Sequence, residues 1–156
     1  PATDTTAVQT QPVDTSVAIP DSTPVKKKTE VIHTKGTLRL QSAQGFWFEY
    51  TGEIVNDEAH GKGVAFFENW NRYEGEFRHK KRIGFGIAIN KNGDRYEGQW
   101  KNDRFNGKGI YTWKNGDRFE GYFKDAQRTG KGKLYNKRGE LLKEGDWKDD
   151  ELVKKP

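Results

Sequence analysis

Glycine recurs in this chain with a period of 23 residues. Gly52, Gly75, Gly98 and Gly121 are spaced by 23, and Gly145 follows after 24. A second series runs beside the first: Gly61 and Gly63, Gly84 and Gly86, Gly107 and Gly109, Gly130 and Gly132. Aromatic residues keep the same step. Tyr50, Tyr73, Tyr96 and Phe119 stand two places before the first glycine, and Ile54, Phe77, Trp100, Phe123 and Trp147 two places after it. Self-similarity at a fixed period of this length is the signature of a stacked repeat array. In such an array each unit buries its face against its neighbours alone. That accounts for a chain only 31% hydrophobic and 33% charged, leaner than a compact globule usually is.

Within a unit the pattern has a period of two. In Arg95-Tyr96-Glu97-Gly98-Gln99-Trp100-Lys101, Tyr96, Gly98 and Trp100 share one face, and Glu97 and Gln99 the other. Asn102 to Asn106 reads as a polar connection. Lys108 to Trp113 alternates again, and Asn115-Gly116 reads as a tight turn into the next unit. Asn92-Gly93 holds the same place one period earlier. Each unit is therefore expected to be a two-stranded antiparallel hairpin, and glycine density with this alternation disfavours helix. The expected fold is all-β: an elongated, single-layer antiparallel sheet of stacked 23-residue hairpins. Its strands lie about 4.8 Å apart, so the ribbon should be roughly 45–55 Å long. It should twist right-handedly. The repeat domain is expected over 36–152, with units near 50–72, 73–95, 96–118 and 119–142, a partial unit at 143–152, and a tail at 153–156. Gly36 to Gln44 reads as a degenerate leading strand, four residues out of phase.

Glycine weakens a strand, so its recurrence needs a reason. Gly75, Gly84, Gly86, Gly98, Gly107, Gly109, Gly121, Gly130 and Gly132 are expected to be structural. Each glycine of the first series lies in line with large rings, and its missing Cβ lets an aromatic lie flat on backbone.

Residues 1–35 carry no aromatic residue and no period. They read as a disordered Thr/Pro-rich linker that cannot offset its ordering entropy by burial. The chain starts at Pro1 and contains neither methionine nor cysteine, which suggests an N-terminal piece lost upstream. Disulfides and a cysteine nucleophile are excluded. Absence of cysteine, with a flexible tether, points to a bacterial cell envelope protein, exported or lipid-anchored, the alternative being the cytoplasm. No apolar run reaches the roughly 18 residues of a membrane span.

The candidate chemistry is thin. Gly-x-Gly can cradle a phosphate, but here it opens a strand, repeats four times and lacks a lysine-serine pair. Glu74, Glu97, Glu120 and Glu144 form an acid column, and Lys62, Lys108 and Lys131 a basic one. The two columns are expected to pair across strands. His33, His60 and His79 fall at unrelated positions in the period, which argues against a metal site. Serine is confined to Ser16, Ser22 and Ser42, so no nucleophilic triad is credible. The chain is expected to be no enzyme, with no cofactor and no small-molecule substrate.

Two features point to surfaces. The first is an aromatic strip: Tyr73, Phe77, Tyr96, Trp100, Tyr111, Trp113, Phe119 and Phe123. A single layer leaves such a strip bordering solvent, where contiguous rings mark partner sites. The second is a row of basic loop tips: Lys80, Lys81 and Arg82, Lys101 and Arg104, Lys124 and Arg128. They suit an anionic membrane surface or simple edge protection. The net charge of +5 resides wholly in the repeats, because the first 35 residues hold four acids and four bases. That excess is too small to argue for nucleic acid.

These residues resemble the MORN repeat (membrane occupation and recognition nexus). Its pattern is Tyr-x-Gly-x-(Trp or Phe), a polar loop, Gly-x-Gly and a glycine-containing turn. Tyr73-Glu74-Gly75-Glu76-Phe77 with Gly84-Phe85-Gly86 matches it. So do Tyr96-Glu97-Gly98-Gln99-Trp100 with Gly107-Lys108-Gly109, and Phe119-Glu120-Gly121-Tyr122-Phe123 with Gly130-Lys131-Gly132. Tyr50-Thr51-Gly52-Glu53-Ile54 is a weaker copy, and Lys143 to Trp147 a terminal half unit. The resemblance implies a curved or twisted single-layer sheet. It also implies a role as scaffold, dimeriser, partner-binding module or phospholipid binder, and it does not choose among them. The leading expectation is a protein partner or self-association through the aromatic face. The alternatives are a peripheral anionic-membrane binder and a passive spacer.

Overall fold

The computed structural model describes residues 31–69 and 71–156. They form one antiparallel sheet of eleven strands in strictly sequential order. The strands are β1 (His33–Gln41), β2 (Trp47–Val55), β3 (Glu58–Phe67), β4 (Arg72–Arg78), β5 (Lys81–Ile89), β6 (Arg95–Lys101), β7 (Arg104–Thr112), β8 (Arg118–Lys124), β9 (Gln127–Tyr135), β10 (Leu141–Lys148) and β11 (Glu151–Lys154). The sheet is thus slightly wider at each end than the expected domain. Of the linker expected over 1–35, residues 1–30 fall outside the described residues, whereas His33, Thr34 and Lys35 belong to β1, paired with Val55, Ile54 and Glu53.

The glycines set the register. Gly36 pairs with Gly52, Gly52 with Gly63, Gly63 with Gly75, and so on through Gly86, Gly98, Gly109, Gly121 and Gly132 to Gly145. A line of paired glycines therefore crosses ten strands. β1 belongs to it: the leading strand is in phase at Gly36, not displaced as the sequence suggested.

The two kinds of connection are exchanged relative to expectation. Asn102-Asp103 is a two-residue turn, and Arg104 and Phe105 already lie in β7. Both turn residues have positive φ, as do Asn56-Asp57, His79-Lys80, Asp125-Ala126 and Asp149-Asp150. Two positive φ values in a two-residue hairpin match the twist of the flanking strands. Asn and Asp tolerate this conformation, whereas Lys80 and Ala126 are disfavoured in it. Their peptides are fixed by the neighbouring unit: Lys80 N donates to Ala59 O, and Ala126 N to Phe105 O. Asn115-Gly116 lies instead in a longer loop closed by Trp113 N to Asp117 O, with Gly116 at φ 94°. All two-residue turns lie along one border of the sheet and all longer loops along the other.

The longer loops are latched to one another. Asn71 Oδ1 accepts from Lys91 N, Asp94 Oδ1 from Lys114 N, and Asp117 Oδ1 from Lys137 N. One Asn or Asp side chain per unit thus fixes the spacing between units.

One face of the sheet carries a continuous aromatic core. Tyr50, Tyr73, Tyr96 and Phe119 are buried, as are Ile54, Phe77, Trp100, Phe123 and Trp147. The rings meet edge to face: Tyr73 against Trp100 at 5.0 Å, Tyr96 against Phe123 at 5.2 Å, Phe119 against Trp147 at 5.1 Å. Each tyrosine lies over a glycine pair, and its hydroxyl donates to the backbone beyond. Tyr50 reaches Glu53 O at 2.8 Å, Tyr73 Glu76 O at 3.1 Å, and Tyr96 Gln99 O at 2.8 Å. The register shifts here, for example by a bulge between Gly75 and Glu76, so the hydroxyl adds a bond where the ladder is irregular. Burial pushes the Tyr50 phenol up to about 12, and raises those of Tyr73 and Tyr96 further.

Candidate functional site

The structure alters both surface expectations. Of the aromatic strip, Tyr73, Phe77, Tyr96, Trp100, Phe119 and Phe123 are buried, and Tyr111 and Trp113 are partly covered. The strip is a core, not an exposed platform. The reason lies in residues from neighbouring units. The Arg82 guanidinium sits 4.6 Å from the Trp100 ring and also over Phe67 and Tyr73. Arg128 sits 4.8 Å from Trp147 and also over Trp113 and Phe119. Between them Phe105 stacks on Tyr96 at 3.9 Å. Long side chains thus roof the rings that a bare single layer would leave wet.

Arg82 and Arg128 therefore leave the row of basic tips. Arg82 Nε donates to Asp103 Oδ1 at 3.0 Å, and its backbone N to the same oxygen at 2.9 Å. Arg128 repeats both bonds with Asp150. The chain varies in step: where Phe105 replaces arginine, Ala126 replaces the following aspartate. Lys80 pairs with Glu58 at 3.7 Å. Lys81, Lys101, Arg104 and Lys124 are exposed and make no ion pair among the described residues. Lys101 faces Arg104 across the β6–β7 turn.

The acid and lysine columns do not meet as expected. Glu74, Glu97 and Glu120 pair along their own strands with Arg72, Arg95 and Arg118, each at 2.7 Å. Residues two apart on a strand share a face, which places each pair side by side. Glu144 pairs with Lys133 at 3.1 Å. The lysines at the middle of Gly-x-Gly face other residues: Lys62 faces Glu76, Lys108 faces Tyr122, and Lys131 faces Asp146. Two histidines that seemed unrelated do meet. The His60 and His79 rings lie 5.7 Å apart, and His79 Nδ1 is 3.0 Å from Glu58. Among the described residues no group of three or more potential ligands converges on a metal position.

The loop border holds one further polar knot. Asp94 accepts from Tyr111 Oη and Lys114 N, both at 2.8 Å. Burial pushes the Asp94 carboxyl up, but these donors and Asn92 hold it below the usual range. Burial, with that bond to Asp94, raises the Tyr111 phenol. These groups hold unit to unit, and nothing in their geometry aims at a reactant.

What remains open is the opposite face. A groove of about 970 Å³ runs along it, lined from Phe85 on β5 to Lys154 on β11. Phe85 is 47% exposed, Ile110 38% and Tyr122 48%. Each of these residues adjoins a structural glycine, where alternation turns it away from the core. Paired glycines Gly98, Gly109, Gly121 and Gly132 form the floor. The period-two rule that places Tyr96 on one face places Ile110 on the other, so this strip carries a signal in the sequence.

A one-layer hairpin array with a filled aromatic face and an open groove defines a β-repeat protein that presents a surface. The family comparison agrees. The chain belongs to the MORN-repeat family, whose pattern matches residues 50–72, 73–95, 96–118 and 119–139. Repeats of this family are generally modules for contact with proteins or membranes. A comparison with curated proteins returns no match.

Proposed function

We propose that this chain is a non-enzymatic interaction module that holds a segment of another protein in the groove of its glycine-floored face. One observation carries the reading: the exposed apolar strip of Phe85, Ile110 and Tyr122 inside a single open groove. Apolar area left in water forgoes roughly 25 cal/mol per Å². Contiguous strips of it usually mark contact surfaces. The core face is a poorer candidate, because its rings are already covered by Arg82, Phe105 and Arg128.

Panning a random peptide display library against the full chain tests this. Ile110-dependent binders are expected: sequences enriched on the wild type and lost on Ile110→Glu. The variant should melt with the wild type, because Ile110 lies outside the core. A library that enriches nothing, or enriches equally on both proteins, refutes the reading. The exposed cations Lys81, Lys101, Arg104 and Lys124 motivate the membrane alternative. Flotation with vesicles containing phosphatidylserine decides it. Salt-sensitive capture that survives Ile110→Glu would favour the lipid surface instead.

A further inference from the structure

The groove carries a charge pattern as well as an apolar strip. Lys108, Lys131 and Lys154 occupy the same place in successive units, and all three line it. Lys108 faces Tyr122 rather than an acid. Asp146 lies between Lys131 and Lys154, its Cα neighbour on both sides. Among the described residues none of the three lysines makes an ion pair. The glutamates of the groove are satisfied: Glu97 by Arg95, Glu120 by Arg118, Glu144 by Lys133. The unspent charge in the groove is therefore this row of lysines, with Lys155 beside its end, against one aspartate.

The spacing of that row is fixed by the sheet. Successive units are two strands apart, so adjacent lysines are separated by about 9.6 Å along the ribbon. A polyproline II helix has three residues per turn and rises about 3.1 Å per residue, so its turn is roughly 9.3 Å. An acid at every third residue of such a segment lies on one ridge and falls short by only about 0.3 Å per lysine. An extended β-strand has a suitable rise, but its residues i and i+3 point to opposite sides. An α-helix places i and i+7 on one face at about 10.5 Å, and it drifts by about 0.9 Å at each step.

We infer that the groove binds a polyproline II segment of a partner protein with a carboxylate at every third residue. Its acids meet Lys108, Lys131 and Lys154; the intervening prolines pack on Phe85 and Tyr122, which share the lysines' row, and on Ile110 across the line of glycines. Proline-rich segments dock on aromatic-lined grooves in the same physical way, with little ordering entropy to lose. The chain's own first 30 residues do not fit, because their acids stand at Asp4, Asp14, Asp21 and Glu30. This inference rests on the groove reading above and adds the chemistry of the occupant.

The test is fluorescence anisotropy of the full chain with labelled (Glu-Pro-Pro)₃. The comparators are a block isomer of identical composition, the (Gln-Pro-Pro)₃ analogue, and a helical peptide with acids seven residues apart. The triplet peptide is expected to bind about tenfold more tightly than each comparator, and more weakly as salt is added. Each of Lys108→Glu, Lys131→Glu and Lys154→Glu should weaken it about fivefold, the range of a surface ion pair. The triple reversal should instead take (Lys-Pro-Pro)₃, a rescue that an unfolded variant would not give. Equal affinity for the block isomer, preference for the helix, or indifference to the lysine reversals overturns the inference. If these fail while display still enriches Ile110-dependent peptides, the spacing claim falls and the groove reading stands. If display fails too, both fall.

Discussion

Replacing Gly98 by alanine adds one methyl group to the centre of the sheet. A Cβ built there meets Gly109 Cα at 2.5 Å, Lys108 O at 2.6 Å and Tyr96 Oη at 2.7 Å. Two of the three obstacles are backbone of the paired strand, so no rotamer change clears them. Ordinary contact needs roughly 3.4–4 Å, so β6 and β7 must separate or the Tyr96 ring must lift. Overpacking of this kind costs about 1–3 kcal/mol. Losing the 2.8 Å bond from Tyr96 to Gln99 O adds about 1 kcal/mol. Stiffening the unfolded chain returns about 0.4–1 kcal/mol. The net loss should be about 1–3.5 kcal/mol, a fall in melting temperature of about 4–14 °C for a domain of this size. Gly36→Ala is the matched control. Gly36 belongs to the same glycine line, yet its Cβ would meet only Ile54 Cδ1 at 3.6 Å. Thermal melts followed by circular dichroism should therefore separate the two variants clearly. If Gly98→Ala melts within about 2 °C of the wild type, or Gly36→Ala falls as far, the account of glycine as floor for the tyrosine ring is wrong.

Further outcomes follow from the same packing. Phe119 holds the tyrosine place in its unit without a hydroxyl. Phe119→Tyr should gain about 1 kcal/mol by donating to the backbone, and Tyr96→Phe should lose about as much, read from urea midpoints. The step-wise variation of Arg82 with Asp103 and of Phe105 with Ala126 predicts a coupled pair. Phe105→Arg alone should cost about 2–3 kcal/mol, and adding Ala126→Asp should recover more than half of it. Raising the pH should unfold the sheet through its phenols. The folded values of Tyr50, Tyr73 and Tyr96 lie above the unfolded value near 10, so their contribution is complete below pH 10 and is lost as pH rises toward 12 and beyond. Stability should fall by about 1.4 kcal/mol per pH unit for each ring between those limits; Tyr111, also raised, is a fourth such phenol, so Tyr96→Phe should reduce the slope by about a quarter. A flat profile to pH 11 would remove buried phenols from the account.

The 23-residue period, the antiparallel hairpins and the close approach of tyrosine to glycine were legible in the chain. Each is a short-range property: alternation assigns Tyr96 and Trp100 to one face, and only glycine leaves room for a ring on backbone. Turn type was less legible. Lys80 and Ala126 adopt positive φ because the adjoining unit supplies a carbonyl, and nothing in those two residues announces it. The tertiary structure alone decided which face of the sheet is open. Alternation divides residues between two faces and is silent about what covers either. That depended on Arg82 and Arg128 crossing to rings on neighbouring strands, held there by aspartates more than twenty residues on. Covering one face left the other, with Phe85, Ile110, Tyr122 and their row of lysines, open to solvent.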